Sequence, residues 1–142
     1  MTFFAKLHPL LVHFPVGLLV SGSLFELYGK LSRDEVAATA GRFNVRLGFW
    51  CALPVMVVGL LGLLSLEDTE KFKTFLSNHI LFAGAGAGSF FLALLVSRFA
   101  GKLLAGFYYL FLFLGLLSIL AAGFYGGEMV HRFGVSTPHP QP

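Results

Sequence analysis

The sequence predicts an all-α integral membrane protein, a four-helix bundle with both termini on the outer face of the membrane. Of its 142 residues, 56% are hydrophobic and only 12% are charged, and the mean hydropathy is +0.81. A soluble domain carries about a quarter charged residues, so this deficit indicates a surface that faces lipid. The formal net charge of +3 would suggest nucleic acid in a soluble protein. Because the basic residues lie mostly between apolar runs, we expect the lipid bilayer as a partner and no nucleic acid.

Four uncharged runs of 19 to 25 residues divide the chain. A helix needs roughly 20 apolar residues to cross a bilayer core of about 30 Å, and each run meets that length. The polarity does not alternate as a barrel would require, so helices are the expected spanning form. Residues 1–135 are predicted to form one transmembrane domain and residues 136–142 a flexible, Pro-rich tail. The predicted spans are about 9–29, 45–66, 78–98 and 103–128.

The charge distribution predicts the orientation of these spans. An even number of spans places the N-terminus, the loop 67–78 and the tail on one side, here named side A. The loop 30–46 and the turn 98–102 lie on the other side, named side B. Side B carries six Lys and Arg residues and side A carries four. Short loops rich in basic residues stay cytoplasmic, so side A is predicted to be periplasmic in a bacterial inner membrane.

Four of the five histidines gather near side A, on three different spans. Ionisable residues within spans are functional candidates by default. His8 and His13 are five residues apart, which places them about 140° apart around a regular helix. They cannot easily share one metal ion, so a compact site within this span is not predicted. The four side-A histidines are His8, His13, His79 and His131.

A haem iron held between two helices needs only one histidine from each helix, with space for the macrocycle. The nominal axial pair is His13 with His79, because both lie within spans. Gly17, one turn beyond His13, and Gly86, on the face of His79, are expected to provide the space. The sequence therefore predicts one or two haem b groups near the periplasmic face.

Several side-A and side-B residues have more than one interpretation. His8 and His131 could hold a second haem or bind propionates, or could simply reach the membrane interface. Arg132 could meet a propionate or pair with Glu128, four residues earlier on the same helical face. Glu26 closes the first span near side B, where it would reach the interface or, alternatively, serve as a proton site. The GxxxG formed by Gly84 and Gly88 is more typical of helix packing than of a cofactor site.

Both ends of the chain resemble a known family. The segment HPLLVHFPV at residues 8–16 resembles the signature HPxxVHFPI, and GGEMVHRFGV at residues 126–135 resembles the ending GGxLVYRHGV. These signatures belong to a bacterial family of small four-span membrane proteins of unknown function. His79 stands where that family tends to place a histidine, whereas His131 is displaced by two positions from the family's. Relatives fused to c-type cytochrome domains imply the company of respiratory electron carriers, which are membrane or periplasmic cytochromes or a quinone.

Three functions are compatible with these observations. The first is a cytochrome b-like electron-transfer subunit, which is not an enzyme in its own right because no nucleophile or acid–base pair is apparent. The second is a cofactor-free structural subunit of a larger membrane complex, with the histidines as interhelical hydrogen bonders. The third is a metal or proton transporter, which ranks last because the second and fourth spans lack charged or histidine residues in their middles.

Overall fold

The structure is a computed structural model that describes residues 3–63, 70–99 and 104–133, almost entirely as α-helix. The predicted tail 136–142 lies outside the described residues, as do the segments that join the second span to the third and the third to the fourth. The helices are α1 (Phe3–Leu11), α2 (His13–Ser32), α3 (Glu35–Leu63), α4 (Glu70–Phe99) and α5 (Ala105–Phe133).

These helices provide four segments that are long and apolar enough to cross a membrane. The first combines α1 and α2 over Lys6–Ser32, and α3, α4 and α5 each provide one. A helix of 29 residues, such as α3, is about 43 Å long. That length matches the bilayer with its headgroup regions, about 40–45 Å. The predicted fold class, an all-α bundle of four membrane-spanning helices, is confirmed.

The first span is interrupted at Val12, where α1 ends and α2 begins. Pro15 has no backbone N–H, so it cannot donate to the carbonyl of Leu11 as a helical residue would. The ladder continues on either side, since Val12 N–H donates to His8 at 3.0 Å and Val16 N–H donates to Val12 at 3.1 Å. The first span is therefore one continuous segment in which the helical hydrogen bonding is interrupted locally, between His8 and His13.

The helices extend beyond the predicted spans because hydropathy locates the apolar part of a helix and not its ends. The loop predicted at 30–46 is reduced to a tight turn at Arg33 and Asp34. Arg33 adopts the left-handed conformation with φ 56°. The Asp34 carboxylate accepts the N–H groups of Val36 at 3.0 Å and Ala37 at 3.1 Å. This N-cap starts α3 ten residues earlier than the predicted span, with charged residues in the added turns.

The α2–α3 hairpin is packed through glycines spaced seven residues apart on both helices. A Cβ atom at Gly22 would lie 2.8 Å from the backbone nitrogen of Val45, and one at Gly41 would lie 2.7 Å from the carbonyl oxygen of Gly22. Side chains at these positions would separate the two backbones. Small residues bring membrane helices into close contact in this way. The interface glycines are Gly22, Gly29, Gly41 and Gly48.

In the α4–α5 hairpin, the two helices pack through a large side chain on one helix against a glycine on the other. Phe90 is fully buried, and its ring would lie 3.0 Å from a Cβ added at Gly115. Gly86 faces α5 near Ser118, where an added Cβ would be at an ordinary 3.5 Å. This second hairpin therefore has slightly more space between its helices than the first.

The two hairpins repeat the same pattern of buried positions. Seven, eleven and fourteen residues after His8 come buried Pro15, Leu19 and Gly22, and the same steps after His79 reach buried Gly86, Phe90 and Ala93. The returning helices match as well, with α3 positions paired to α5 positions of equal spacing. Those buried pairs are Gly41 with Tyr108, Val45 with Leu112, Gly48 with Gly115, Phe49 with Leu116, Val55 with Ala122 and Gly62 with Met129.

The two hairpins repeat this pattern in the same order along the chain. They meet in a shared core with members from α2, α3, α4 and α5. A group bound between the hairpins would therefore contact both of them. The core residues are Leu19, Val45, Phe49, Phe90, Ala93, Tyr108 and Leu112.

Candidate functional site

A cavity of about 540 Å³ lies between the two hairpins in the side-A half of the bundle. Its volume is within the range of small-molecule and cofactor sites, about 300–1,000 Å³. The lining comes from all five helices and is mostly apolar, with histidines as its main polar groups. The histidines that line the cavity are His8, His13, His79 and His131.

His8, on α1, is held by a hydrogen bond to the facing helix α3. Its Nδ1 lies 3.0 Å from the carbonyl oxygen of Val55. A carbonyl only accepts, so Nδ1 carries the proton and donates it. Gly59, one turn after Val55, makes the approach feasible because a Cβ there would lie 2.8 Å from Cε1 of the His8 ring. The glycine and the carbonyl together fix the orientation of this imidazole.

His79, on α4, is held in the same way by α5. Its Nδ1 lies 2.9 Å from the carbonyl oxygen of Ala122. Gly126, again one turn after the acceptor, would place an added Cβ 3.2 Å from the His79 ring. The first span with α3 and the helix α4 with α5 thus contain the same unit. In each, a histidine of the first member donates to a backbone carbonyl of the second, and a glycine lies one turn beyond that carbonyl.

These hydrogen bonds determine which nitrogen of each ring can bind a ligand. In a neutral imidazole one nitrogen carries the proton and the other has a free lone pair. With Nδ1–H donated to Val55 or Ala122, the lone pair is on Nε2. Histidines that ligate metals commonly have their other nitrogen bound to a backbone carbonyl or carboxylate in this way. His8 and His79 therefore have the hydrogen bonding of metal ligands.

The two rings lie next to each other across the junction of the hairpins. Their centroids are 6.3 Å apart and their planes are inclined by 81°. The histidine that the structure places against His79 is thus His8. His13, the partner predicted from sequence, lines the same cavity but is exposed, as is His131. His8 faces α3, where its Nδ1 bonds the Val55 carbonyl.

The two glycines predicted to provide space for a haem, Gly17 and Gly86, both lie outside the cavity lining. Gly86 packs against α5 near Ser118, and Gly17 is exposed with open space beside it, outside the cavity lining. The glycines that line the cavity with nothing near an added Cβ are Gly84, Gly123 and Gly127. Of these, Gly84 belongs to the GxxxG motif, whose small residues here border empty space. In the sequence, the glycines at both ends of the segment 123–127 indicate a place on α5 where side chains leave space.

Arg132 pairs with Glu128, its neighbour four residues earlier on α5, as the spacing predicts. Its guanidinium also lies over the Phe75 ring, 5.8 Å from the centroid. The Arg132 side chain is about two-thirds exposed. The charge is therefore held at the mouth of the bundle by α4 and α5, close to the last turn that carries His131.

Within the described ranges, no group of three or more His, Cys, Asp and Glu side chains is placed to hold a metal ion. Zinc sites take three or four protein ligands, usually from these residue types. The chemistry that the paired histidines offer is therefore two-point ligation through Nε2.

The helices and this cavity define a class of protein, a four-span integral membrane protein with a paired-histidine site at one end of the bundle. The profile of a family described as predicted membrane protein (DUF2231) matches residues 5–139. The chain belongs to this family, in agreement with the resemblance drawn from residues 8–16 and 126–135. Comparison with curated proteins gives no match, and comparison with solved structures gives none either.

Proposed function

We propose that this protein is a haem b-binding electron-transfer subunit of the bacterial inner membrane, with His8 and His79 as axial ligands. The observation that carries the proposal is the paired geometry of these two histidines. Each donates Nδ1–H to a backbone carbonyl and keeps the Nε2 lone pair free, and the rings adjoin across the hairpin junction. The predicted ligand pair thus changes from His13 with His79 to His8 with His79.

The hydrogen bonding of the two rings, and not their separation, supports a shared ligand. Their centroids are 6.3 Å apart, within the range of about 4.5–7 Å that adjoining rings commonly have. Both hairpins would offer a group bound here the same unit of histidine, carbonyl and glycine.

The number of ligands favours haem over a bare metal ion. A porphyrin supplies four nitrogens in a plane, so iron needs only two axial ligands from the protein. Two histidines without a third ligand suit that requirement, whereas they would hold zinc or copper poorly.

The open side of the cavity fits a flat macrocycle. Gly84, Gly123 and Gly127 border it without side chains. Their repeat counterparts in the first hairpin are His13, Met56 and Leu60, which also line the cavity. The space is thus on the α4–α5 side, and the larger side chains are on the other.

The surroundings suggest the route of electrons. When bound, haem would carry one electron at a time between partners near side A, which the charge bias places in the periplasm. His131 and the Arg132–Glu128 pair lie at that end of the bundle. There they would contact the haem propionates or the surface of a partner protein. Membrane or periplasmic cytochromes, or a quinone, are the proposed partners.

The test is a reduced-minus-oxidised visible spectrum of the detergent-purified chain, expressed with haem supplied, and a pyridine haemochrome assay to identify haem b. His8→Ala and His79→Ala should each abolish the bis-imidazole spectrum, whereas His13→Ala should retain it. Gly123→Leu should also lose haem because it fills the cavity. Gly106→Leu is the matched control on α5, since Gly106 is exposed and has open space beside it.

A colourless wild-type protein under these conditions would reject the haem proposal. The structure also contains what a cofactor-free subunit would use, because the His8–Val55 and His79–Ala122 bonds join helices by themselves. In that case the His8 and His79 variants would lower the stability of a colourless bundle. A spectrum lost in His13→Ala but kept in His8→Ala would instead restore the pair predicted from sequence.

A further inference from the structure

The opposite half of the bundle buries a carboxyl group. Glu26, on α2, is 1% exposed, although the first span places it close to side B. Tyr108, on α5, is also buried, and its hydroxyl donates a hydrogen bond to Oε1 of Glu26. Because α2 and α5 belong to different hairpins, this bond joins the two halves of the protein. The position of Glu26 at the end of the first span suggested that its side chain would reach the membrane interface. The side chain is instead buried inside the bundle.

The fold makes space for this carboxyl group at a specific position. A Cβ atom at Gly41 would lie 2.5 Å from Cγ of Glu26. Any side chain at Gly41 would therefore displace the Glu26 side chain. The glycine of α3 and the tyrosine of α5 form two walls of one compartment around the carboxyl group.

A second polar group faces the same interior. Ser23 lies three residues before Glu26 on the buried face of α2 and is fully buried. Its Oγ has no hydrogen-bond partner among the residues that the structure describes. A buried hydroxyl without a partner is costly, so Ser23 adds an unsatisfied polar group to the interior about one turn before Glu26.

At this level the two hairpins carry different residue types at corresponding positions. By the repeat spacing, Glu26 corresponds to Ser97, which is exposed, and Tyr108 corresponds to Gly41, which is buried like Tyr108. The carboxyl group and the tyrosine are therefore not explained by the repeated packing pattern.

We propose that Glu26 and Tyr108 form a proton-exchange site inside the bundle, with Ser23 as an unpaired hydroxyl on the same buried face of α2, independent of any haem. In the protonated state, the carboxyl group keeps the hydrogen bond that Tyr108 donates. In the exchange step the carboxyl O–H bond breaks, water takes the proton, and a carboxylate remains as the acceptor of the Tyr108 bond. Both states thus retain a partner.

Charged and titratable groups on the neighbouring helices lie around the carboxyl group. Arg42 and Arg46 are on α3, and Tyr109 is on α5. Lys30 of α2 lies over the Tyr109 ring at 5.4 Å. Ionisable residues within spans commonly serve in proton relays.

The test is infrared spectroscopy of the full chain in lipid nanodiscs across a pH titration. A protonated carboxylic acid has a C=O stretching band that the carboxylate lacks and that shifts in D₂O. The wild type should show such a band that titrates, and Glu26→Gln should lose it. Glu35→Gln is the matched control, since Glu35 is exposed on the same side and its removal should leave the band in place.

Two further variants keep the proposal testable if Glu26→Gln folds poorly. Tyr108→Phe should keep the band but shift its frequency, because the carboxyl group loses the hydrogen bond from that hydroxyl. Ser23→Ala should leave the frequency in place, since the Ser23 hydroxyl has no bond to the carboxyl group. A wild type without the band at any pH would overturn the proposal, as would a band that never titrates. A titrating band that persists in a folded Glu26→Gln protein would overturn it too.

Discussion

Replacing Gly59 by alanine tests the unit of histidine, carbonyl and glycine without reference to any cofactor. The added Cβ would lie 2.8 Å from Cε1 and 2.9 Å from Nδ1 of His8. The His8 ring sits within a packed helix contact, so it must move away and release the Val55 carbonyl. In a His8→Ala background the same methyl group enters free space. The sign of the effect should therefore depend on the residue at position 8.

The magnitude follows from three terms. An interhelical hydrogen bond in a membrane protein contributes about 0.6 kcal/mol on average and about 1.7 at most. Inserting a methyl group into a packed contact costs typically about 1–3 kcal/mol, and the low end of about 1 kcal/mol applies here because the His8 ring borders the cavity and can move. Alanine is favoured over glycine within a helix by about 1 kcal/mol. Gly59→Ala should thus destabilise the wild type by about 1–2 kcal/mol and stabilise the His8→Ala protein by up to about 1 kcal/mol.

The assay is a double-mutant cycle on Gly59→Ala and His8→Ala, measured by reversible unfolding in mixed detergent micelles. The expected coupling energy is about 2–3 kcal/mol, well above the scatter between independent sites. Gly106→Ala is the control, since open space adjoins Gly106 and its effect should be the same in both backgrounds. Equal effects of Gly59→Ala in the two backgrounds would refute the contact between Gly59 and His8.

Three more predictions concern the first hairpin and its orientation. Gly41→Ala should lower the unfolding free energy by about 3 kcal/mol in the same assay, since the methyl group meets backbone as well as Glu26; a neutral result would contradict the close helix contact. Asp34→Ala should cost about 1 kcal/mol by removing the N-cap of α3, whereas Asp34→Asn should cost much less, and equal losses would disprove the capping role. With the single native cysteine replaced by serine, Glu70→Cys should react with a membrane-impermeant maleimide in intact cells and Arg33→Cys should not, and the reverse pattern would invert the orientation.

The membrane fold was predictable because span length and hydropathy are properties of local sequence. The ends of the helices were not, since they depend on caps and turns. Asp34 and the left-handed Arg33 end one helix and start the next within two residues. The charged first turns of α3 lower its mean hydropathy, so sequence reasoning placed them in a loop.

The site was predictable in its components and not in its pairing. The gathering of histidines follows from their positions at span ends, and the cavity does bring all four together. The choice of His8 over His13 depends on the Val55 carbonyl and on Gly59, which lies 51 positions beyond His8 in the sequence. The Glu26–Tyr108 bond joins residues 82 apart, with no periodic signal to indicate it. Such contacts are set by how the two hairpins meet, which the hydropathy of each span does not encode.

Comparison of the two hairpins distinguishes residues that pack the bundle from residues that could bind a ligand or a proton. Where the hairpins agree, as at Gly48 and Gly115, the residue is buried at a helix contact, and both halves need it for packing. The hairpins also agree at the histidine, its carbonyl and its glycine, which brings two polar units together where the hairpins meet. Under the proposed function, one ligand shared by both hairpins would use that pairing. Glu26 and Tyr108 differ in type from their counterparts and lie in one compartment, as the proposed proton-exchange site would need.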